Sequence, residues 1–155
     1  MTETERKFLV KNTLFINDST HQYPIVQGFL NRDPERVVRI RISGEKAWIT
    51  VKGRSDASGT TRFEWEKSIP LEDAKTLLSL CEPGIISKTR YEIPVSNHWF
   101  EVDVFEGENH GLILAEVELS TADEAFEKPH WIGKEVTGDN RYYNTCLSRH
   151  PFKNW

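Results

Sequence analysis

The chain is poor in cysteine, in long apolar runs and in basic excess, and each shortage removes a class of protein. Among 155 residues there are two cysteines, Cys81 and Cys146, far apart and without a CxxC pair. A disulfide-stapled scaffold and a soft-metal site are thereby set aside. Both read as small side chains on helix faces, and a reducing cytoplasm fits them. The longest apolar runs, such as Leu112 to Ala115, are far too short to cross a bilayer. The first residues show no signal-peptide pattern, and a charged strand is expected to open the chain directly. Twenty basic residues against 24 acidic ones leave a net charge of −4, which excludes a general nucleic-acid binder. Any anion must therefore be held by local placement of charge. There is no Gly-rich Walker loop and no nucleophile elbow, so P-loop and serine-hydrolase chemistry fall away. The histidines, at positions 21, 98, 110, 130 and 150, show no zinc-ligand spacing. Repeats, low-complexity segments and composition shifts are also lacking, which predicts a single domain over 1–155.

What is present is alternation. Hydrophobic residues make up 37% and charged residues 28% of the chain, the balance of a folded protein. Strand patterns are read over 3–10, 23–30, 36–43, 46–53, 61–69, 85–95, 98–106 and 112–119. Gly44-Glu45 marks a hairpin turn, and Gly53 to Gly59 a mobile polar loop. Pro70 opens a helix whose stripe is Leu71, Ala74, Leu77, Leu78 and Cys81. Thr121 with Glu124 makes a capping box for a short helix, and Asp139 or Asn140 caps a last one carrying Tyr142, Tyr143 and Leu147. Residues 11–20 hold another turn or two. The fold class is mainly β (α+β): a closed eight-stranded antiparallel barrel with a few peripheral helices.

Side chains on a strand alternate between faces, so parity sorts them. One parity collects Glu3, Glu5 and Lys7; Arg39 and Arg41; Trp48, Thr50 and Lys52; Arg62, Glu64 and Glu66; Lys88, Arg90 and Glu92; Glu101 and Asp103; Glu116 and Glu118. The opposite parity carries large apolar groups. A half-buried sheet with a solvated outer face alternates in the same way, so the pattern alone establishes amphipathicity. Recurrence in seven of the eight strands, with bulky residues suited to pack beneath external helices, favours the inverted arrangement. The charges then line the interior, which is tolerable only if opposite signs pair and water or ligand fills the lumen.

Carboxylates and cations on one face suit a polyphosphate bound with a hard divalent metal. Arginine forks and lysine ammonium groups meet phosphate oxygens, while glutamates supply the oxygen ligands that Mg²⁺ or Mn²⁺ prefer. The matching reaction is attack by water on a terminal phosphoryl group. Trp48 has two readings, packing or stacking on an aromatic ring of a substrate.

These residues resemble the CYTH family, the triphosphate tunnel metalloenzymes. The resemblance rests on Glu3-x-Glu5-x-Lys7, Arg39-x-Arg41, Lys52, Glu64 with Glu66, Lys88-x-Arg90, Asp103, Glu116-x-Glu118 and the closing Gly133-x-Glu-Val-Thr-x-Asp-x-Arg-Tyr-x-Asn144. It runs essentially end to end. It implies a triphosphate tunnel requiring one or two Mg²⁺ or Mn²⁺ ions. Glu3, Glu5, Glu64, Asp103, Glu116 and Glu118 would bind metal, with Glu101 sharing the face of Asp103. Lys7, Arg39, Arg41, Lys52, Arg62, Lys88 and Arg90 would grip phosphates, with Lys52, Glu5 and Glu118 as the catalytic set. Lys134 and Arg141 would either close one end or lie on the surface. The short length resembles the bacterial inorganic triphosphatases. Class IV adenylate cyclase and nucleoside or thiamine triphosphatase are alternatives, with a non-catalytic polyphosphate binder behind them. No His-Phe-x-x-Pro motif of cyclase-like members is present. The expected partner is inorganic triphosphate or another triphosphate-bearing small molecule, without general nucleic-acid or membrane binding, and a homodimer is implied by resemblance alone.

Overall fold

A computed structural model describes residues 2–155. Nine strands are present: β1 (Thr2–Val10), β2 (His21–Asn31), β3 (Val37–Ser43), β4 (Lys46–Lys52), β5 (Thr61–Ser68), β6 (Ile86–Val95), β7 (His98–Phe105), β8 (Ile113–Glu118) and β9 (Ile132–Glu135). Neighbours run in the order β5-β4-β3-β2-β6-β7-β8-β1, and pairing of β1 with β5 closes the cylinder. All these pairings are antiparallel. The eight strands expected from alternation are therefore the barrel. β9, too short and Gly-containing to show a strand pattern, is an addition.

β1 is the seam. One of its edges pairs with β8 from Glu5 to Leu9. The other is shared: Thr2 to Thr4 pair with β5, and Phe8 and Val10 with β9. Between them Glu5 N–H donates to Thr60 O and Lys7 N–H to Thr137 Oγ1. Among the described residues no stretch of this edge is left as an open template.

The outward parity forms two apolar clusters. One gathers Phe8, Phe100, Val102, Val117 and Trp131 around Phe15 of α1 (Phe15–Asp18). Trp131 and Phe15 are fully buried, with edge-on aromatic contacts among Phe15, Phe100 and Trp131. The other seats α2 (Leu71–Ser79) through Ala74, Leu77 and Leu78 on Ile40 and Ala47. Pro70 stands just before the first helical residue, and Glu72 and Asp73 in the first turn suit the helix dipole.

The third cluster lies on the inward parity at one end. Phe29, Val37, Ile86, Phe105, Leu112 and Leu114 form an apolar belt inside the barrel, and Tyr142 and Leu147 cover it. Interior positions are thus charged over part of the cylinder and apolar below, a correction to a uniformly charged lumen. Leu147 belongs to α3 (Asn144–Arg149), which is preceded by a 3-10 turn over Asn140–Tyr142. The last helix therefore begins at Asn144, because Asp139 caps the 3-10 turn through Arg141 N–H instead. Gly84 lets α3 come close: its φ is +99°, and a Cβ there would sit 2.0 Å from Ser148 O.

One further expectation changes. Residues 121–130 form no helix: Glu124 does accept the Ser120 N–H, as a capping box would, but only a turn follows before Pro129. The loop at 53–59 is gathered around Asp56, whose Oδ1 accepts from Ser58 Oγ and Thr60 N–H. Among the described residues no helix is long and apolar enough to cross a membrane.

Candidate active site

Register fixes which side chains share the interior. Lys7 lies opposite Glu116 and Glu5 opposite Glu118 across β1 and β8. Arg90 faces Asp103 across β6 and β7, Lys52 faces Glu64 across β4 and β5, and Arg62 faces Glu3 where β5 closes on β1. These side chains bound a cavity of about 230 Å³. Its cations are Lys7, Arg39, Arg41, Lys52, Arg62, Lys88 and Arg90; its acids are Glu3, Glu5, Glu64, Glu66, Glu101, Glu116 and Glu118. Tyr143, Asn144 and Thr145 of the C-terminal segment complete the wall. An adjoining hollow of about 400 Å³ shares Arg41, Glu66, Arg90 and Glu101 and adds Tyr23, Ile25, Ser43, Lys46 and Trp48. Trp48 thus faces the mouth of the lumen, not the outer core.

The acids fall into two groups. Glu3 Oε1 accepts from Lys52 Nζ at 2.6 Å and from Arg62 Nε at 3.0 Å, and Glu64 lies 3.0 Å from the same ammonium. Burial raises the Glu3 carboxyl, but the Glu64 hydrogen bond, Lys52 and Arg62 outweigh it and bring it down to about 2. Glu64 moves the other way, raised by burial and by its hydrogen bond to Glu3. At the second group Lys7 Nζ is 3.8 Å from Glu116. Burial and the adjacent Glu116 charge push the Glu5 carboxyl well up. Burial raises Glu116 too, but Lys7 and the Glu5 hydrogen bond hold it well below the ordinary range. Two carboxyl groups crowding one another this way share a proton until a cation replaces it.

The cations divide likewise. Asp103 is 2% exposed; it binds Arg90 in a two-point fork at 2.7 and 2.9 Å and Lys88 at 2.7 Å. Burial opposes its charge, but Arg90 and Lys88 hold it ionised and far below the ordinary carboxylate range. Glu101 takes the third donor of Arg90 at 2.9 Å. Lys88 is lowered to about 7, chiefly by burial, with Arg90 and Arg41 adding to that and Asp103 opposing it. Arg41 falls to about 9 for the same first reason, with Arg39 and Arg90 as like-charged neighbours. Arg39 Nη2 donates to Thr50 Oγ1 at 3.0 Å and Glu66 at 3.3 Å, yet its Nε is buried without a partner. Burial lowers its affinity for its proton as well. Mutually repelling cations gathered around one cavity suit a polyanion.

The structure therefore gathers Glu3, Glu5, Lys7, Arg39, Arg41, Lys52, Arg62, Glu64, Lys88, Arg90, Glu116 and Glu118 around one cavity. Asp103 lies behind that surface, locked between two cations, and is not among the lining residues. Lys134 is exposed on β9, and Arg141 is exposed and paired with Asp139; neither lines the cavity. Tyr143, Asn144 and Thr145 were not expected at the cavity, nor Gln27 bonded to Arg41 beside it. Strand 2 carries no charge on its inward parity, so Gln27 had no signal; the Tyr-x-Asn close of the last motif was the signal for Asn144.

Acids and bases facing one another inside a closed barrel define a chamber for a polyanion. The chain belongs to the CYTH domain family, whose pattern it matches over residues 1–143. It is 41% identical over 154 residues to an inorganic triphosphatase of Acetivibrio thermocellus, covering 99% of this chain and 97% of that protein. An inorganic triphosphatase of Nitrosomonas europaea is 37% identical over 153 residues, with 96% and 97% covered. The crystal structure of an inorganic triphosphatase superposes with a TM-score of 0.67 at 35% identity, over 96% of this chain and 95% of that one.

Proposed function

We propose that this chain hydrolyses inorganic triphosphate to pyrophosphate and phosphate inside the barrel, with a divalent metal. One observation carries the reading: seven cations and seven glutamates converge on a single cavity. Near-complete relatives that are inorganic triphosphatases support it.

The donor set fits a hard cation. Its atoms are carboxylate oxygens, and Glu5 and Glu116 crowd one another in the way a bound cation would relieve. Among the described residues no three acidic, histidine or cysteine side chains form a ready-made metal cluster. Glu3, Glu5, Glu116 and Glu118 would hold the ion. Glu64 would be a further ligand. Bound there, Mg²⁺ or Mn²⁺ would neutralise phosphate charge and acidify water. Asp103 is assigned a different part from the metal set: it anchors Lys88 and Arg90 so that their free N–H groups face the chamber.

Arg39, Arg41, Lys88, Arg90 and Lys7 would grip the phosphates, their charge counting for more in a water-poor cavity than in solvent. Lys52 and Arg62 would stabilise the departing pyrophosphate, and Glu5 or Glu118 would take the proton of the attacking water. The free state of both cysteines fits a reducing cytoplasm.

The test is phosphate release from tripolyphosphate, pyrophosphate and ATP, each with Mg²⁺, Mn²⁺ or EDTA. Tripolyphosphate should turn over fastest and EDTA should abolish release. Equal turnover of ATP would overturn the inorganic reading, and cAMP formation would replace hydrolysis by cyclisation.

A further inference from the structure

We infer that Asn144 sets the phosphate-gripping posture of the chamber floor, holding Lys88 directly and Arg41 through Gln27 while presenting an amide N–H to the bound anion. The inference deepens the reading above and rests on it. Asn144 opens α3 and lines the cavity. Its Oδ1 accepts from Lys88 Nζ at 3.1 Å and from Gln27 Nε2 at 3.1 Å. Gln27, with 0% exposure, accepts in turn from Arg41 Nε at 3.0 Å.

The direction of this relay is dictated by its two ends. A guanidinium and an ammonium can only donate, so the amide oxygens must face them. Gln27 therefore turns Oε1 to Arg41 and Nε2 to Asn144, and Asn144 turns Oδ1 to both Gln27 and Lys88. Nothing else can be exchanged without placing two donors head to head. The amide nitrogen of Asn144 is consequently directed away from all of them, and no hydrogen bond among the described residues engages it. In a cavity walled by cations, that group is a neutral donor for a phosphate oxygen. The relay links three adjacent strands, because Arg41 stands on β3 and Lys88 on β6 with Gln27 on β2 between them. The two cations repel one another, and the relay ties Arg41 to the same amide that orients Lys88.

Asn144 makes no capping hydrogen bond for α3, and Lys88 keeps Asp103 at 2.7 Å whatever stands at 144. Replacement should leave the fold intact. The experiment compares wild type with Asn144→Ala, Asn144→Asp, Gln27→Leu and the double Gln27→Leu/Asn144→Ala. Tripolyphosphate affinity is measured by calorimetry without metal, turnover with Mg²⁺, and stability by thermal unfolding. Loss of charge-assisted hydrogen bonds should raise Kd and KM about tenfold in Asn144→Ala, with kcat within about threefold. Asn144→Asp keeps the acceptors but loses the donor, and should bind no better than Asn144→Ala. Gln27→Leu should show a smaller rise, and the double variant should be no worse than Asn144→Ala alone. Wild-type Kd and KM in Asn144→Ala, whether or not its Tm falls, would overturn the inference, as would strictly additive effects of the two substitutions. If wild type binds tripolyphosphate but never hydrolyses it, the proposed reaction fails while the affinity comparison still decides the role of Asn144. If wild type does not bind it, both fall.

Discussion

Replacing Asp103 by Asn separates a counterion from a metal ligand. The carboxylate is 2% exposed and meets Arg90 at two points and Lys88 at a third. Asparagine keeps the shape but removes the charge, and its NH₂ would face one of the donors. Breaking a buried ion pair from one side costs about 3–5 kcal/mol, and in a domain of this size each kcal/mol moves Tm by about 2–4 °C. A fall of roughly 6–20 °C is therefore expected for Asp103→Asn, about 12 °C at the centre of those ranges. Tripolyphosphate offers the two stranded cations a replacement anion, so it should raise the variant's Tm by more than it raises that of wild type. The stabilising charge is one whose folded pKa is depressed. Its contribution is present above the ordinary Asp range and lost only as pH falls well below it, so the gap between variant and wild type should narrow in strong acid. Thermal melts at several pH values, with and without tripolyphosphate, measure all of this. A Tm within about 2 °C of wild type, together with a large rise in the Mg²⁺ needed for activity, would refute the reasoning and return Asp103 to the metal set.

Lys88, lowered from an ordinary value of 10.5 to about 7, loses its charge as pH rises through neutrality in the free protein. Tripolyphosphate binding at pH 7.5 should then take up a proton that Lys88→Arg does not, read by calorimetry in buffers of different ionisation enthalpy; equal uptake in both proteins would remove Lys88 as its source. Gly84→Ala should cost more than about 1 kcal/mol in urea unfolding, because the residue keeps φ at +99° and a methyl would strike Ser148 O at 2.0 Å. An unchanged midpoint would mean that α3 is not held where the structure puts it.

The barrel was readable because its strands alternate charge with bulk, and because charged residues recur on one parity regardless of strand length. Glu3, Lys52 and Glu116 could be placed inside before any coordinates for that reason. Parity could not show depth. Asp103 and Glu101 share a face, yet one is sealed behind Arg90 and Lys88 and the other reaches the cavity. Nor could it show that Phe29, Val37 and Leu114, on inward positions, form an apolar belt under α3, since inward apolar residues on some strands look like outward ones on others. β9 escaped because four residues with a glycine carry too little pattern, and the helix expected after Thr121 failed because a capping side chain needs a following run to cap. Gln27 and Asn144 are neutral, and neutral residues acquire meaning only from the cations beside them.

The seam strand has a consequence for how the enzyme comes into being. Its partners are distant along the chain: Thr4 meets Thr61 across 57 residues, and Lys7 meets Thr137 across 130. Local hairpins such as β3–β4 can assemble early, but β1 must wait for nearly the whole polypeptide, an expensive loop to close in entropy and a slow one. Because Glu3, Glu5 and Lys7 ride on that strand, a nascent or truncated chain that has not zipped shut lacks two of its seven cavity glutamates and one of its seven cations. Maturation and competence for catalysis arrive in the same event.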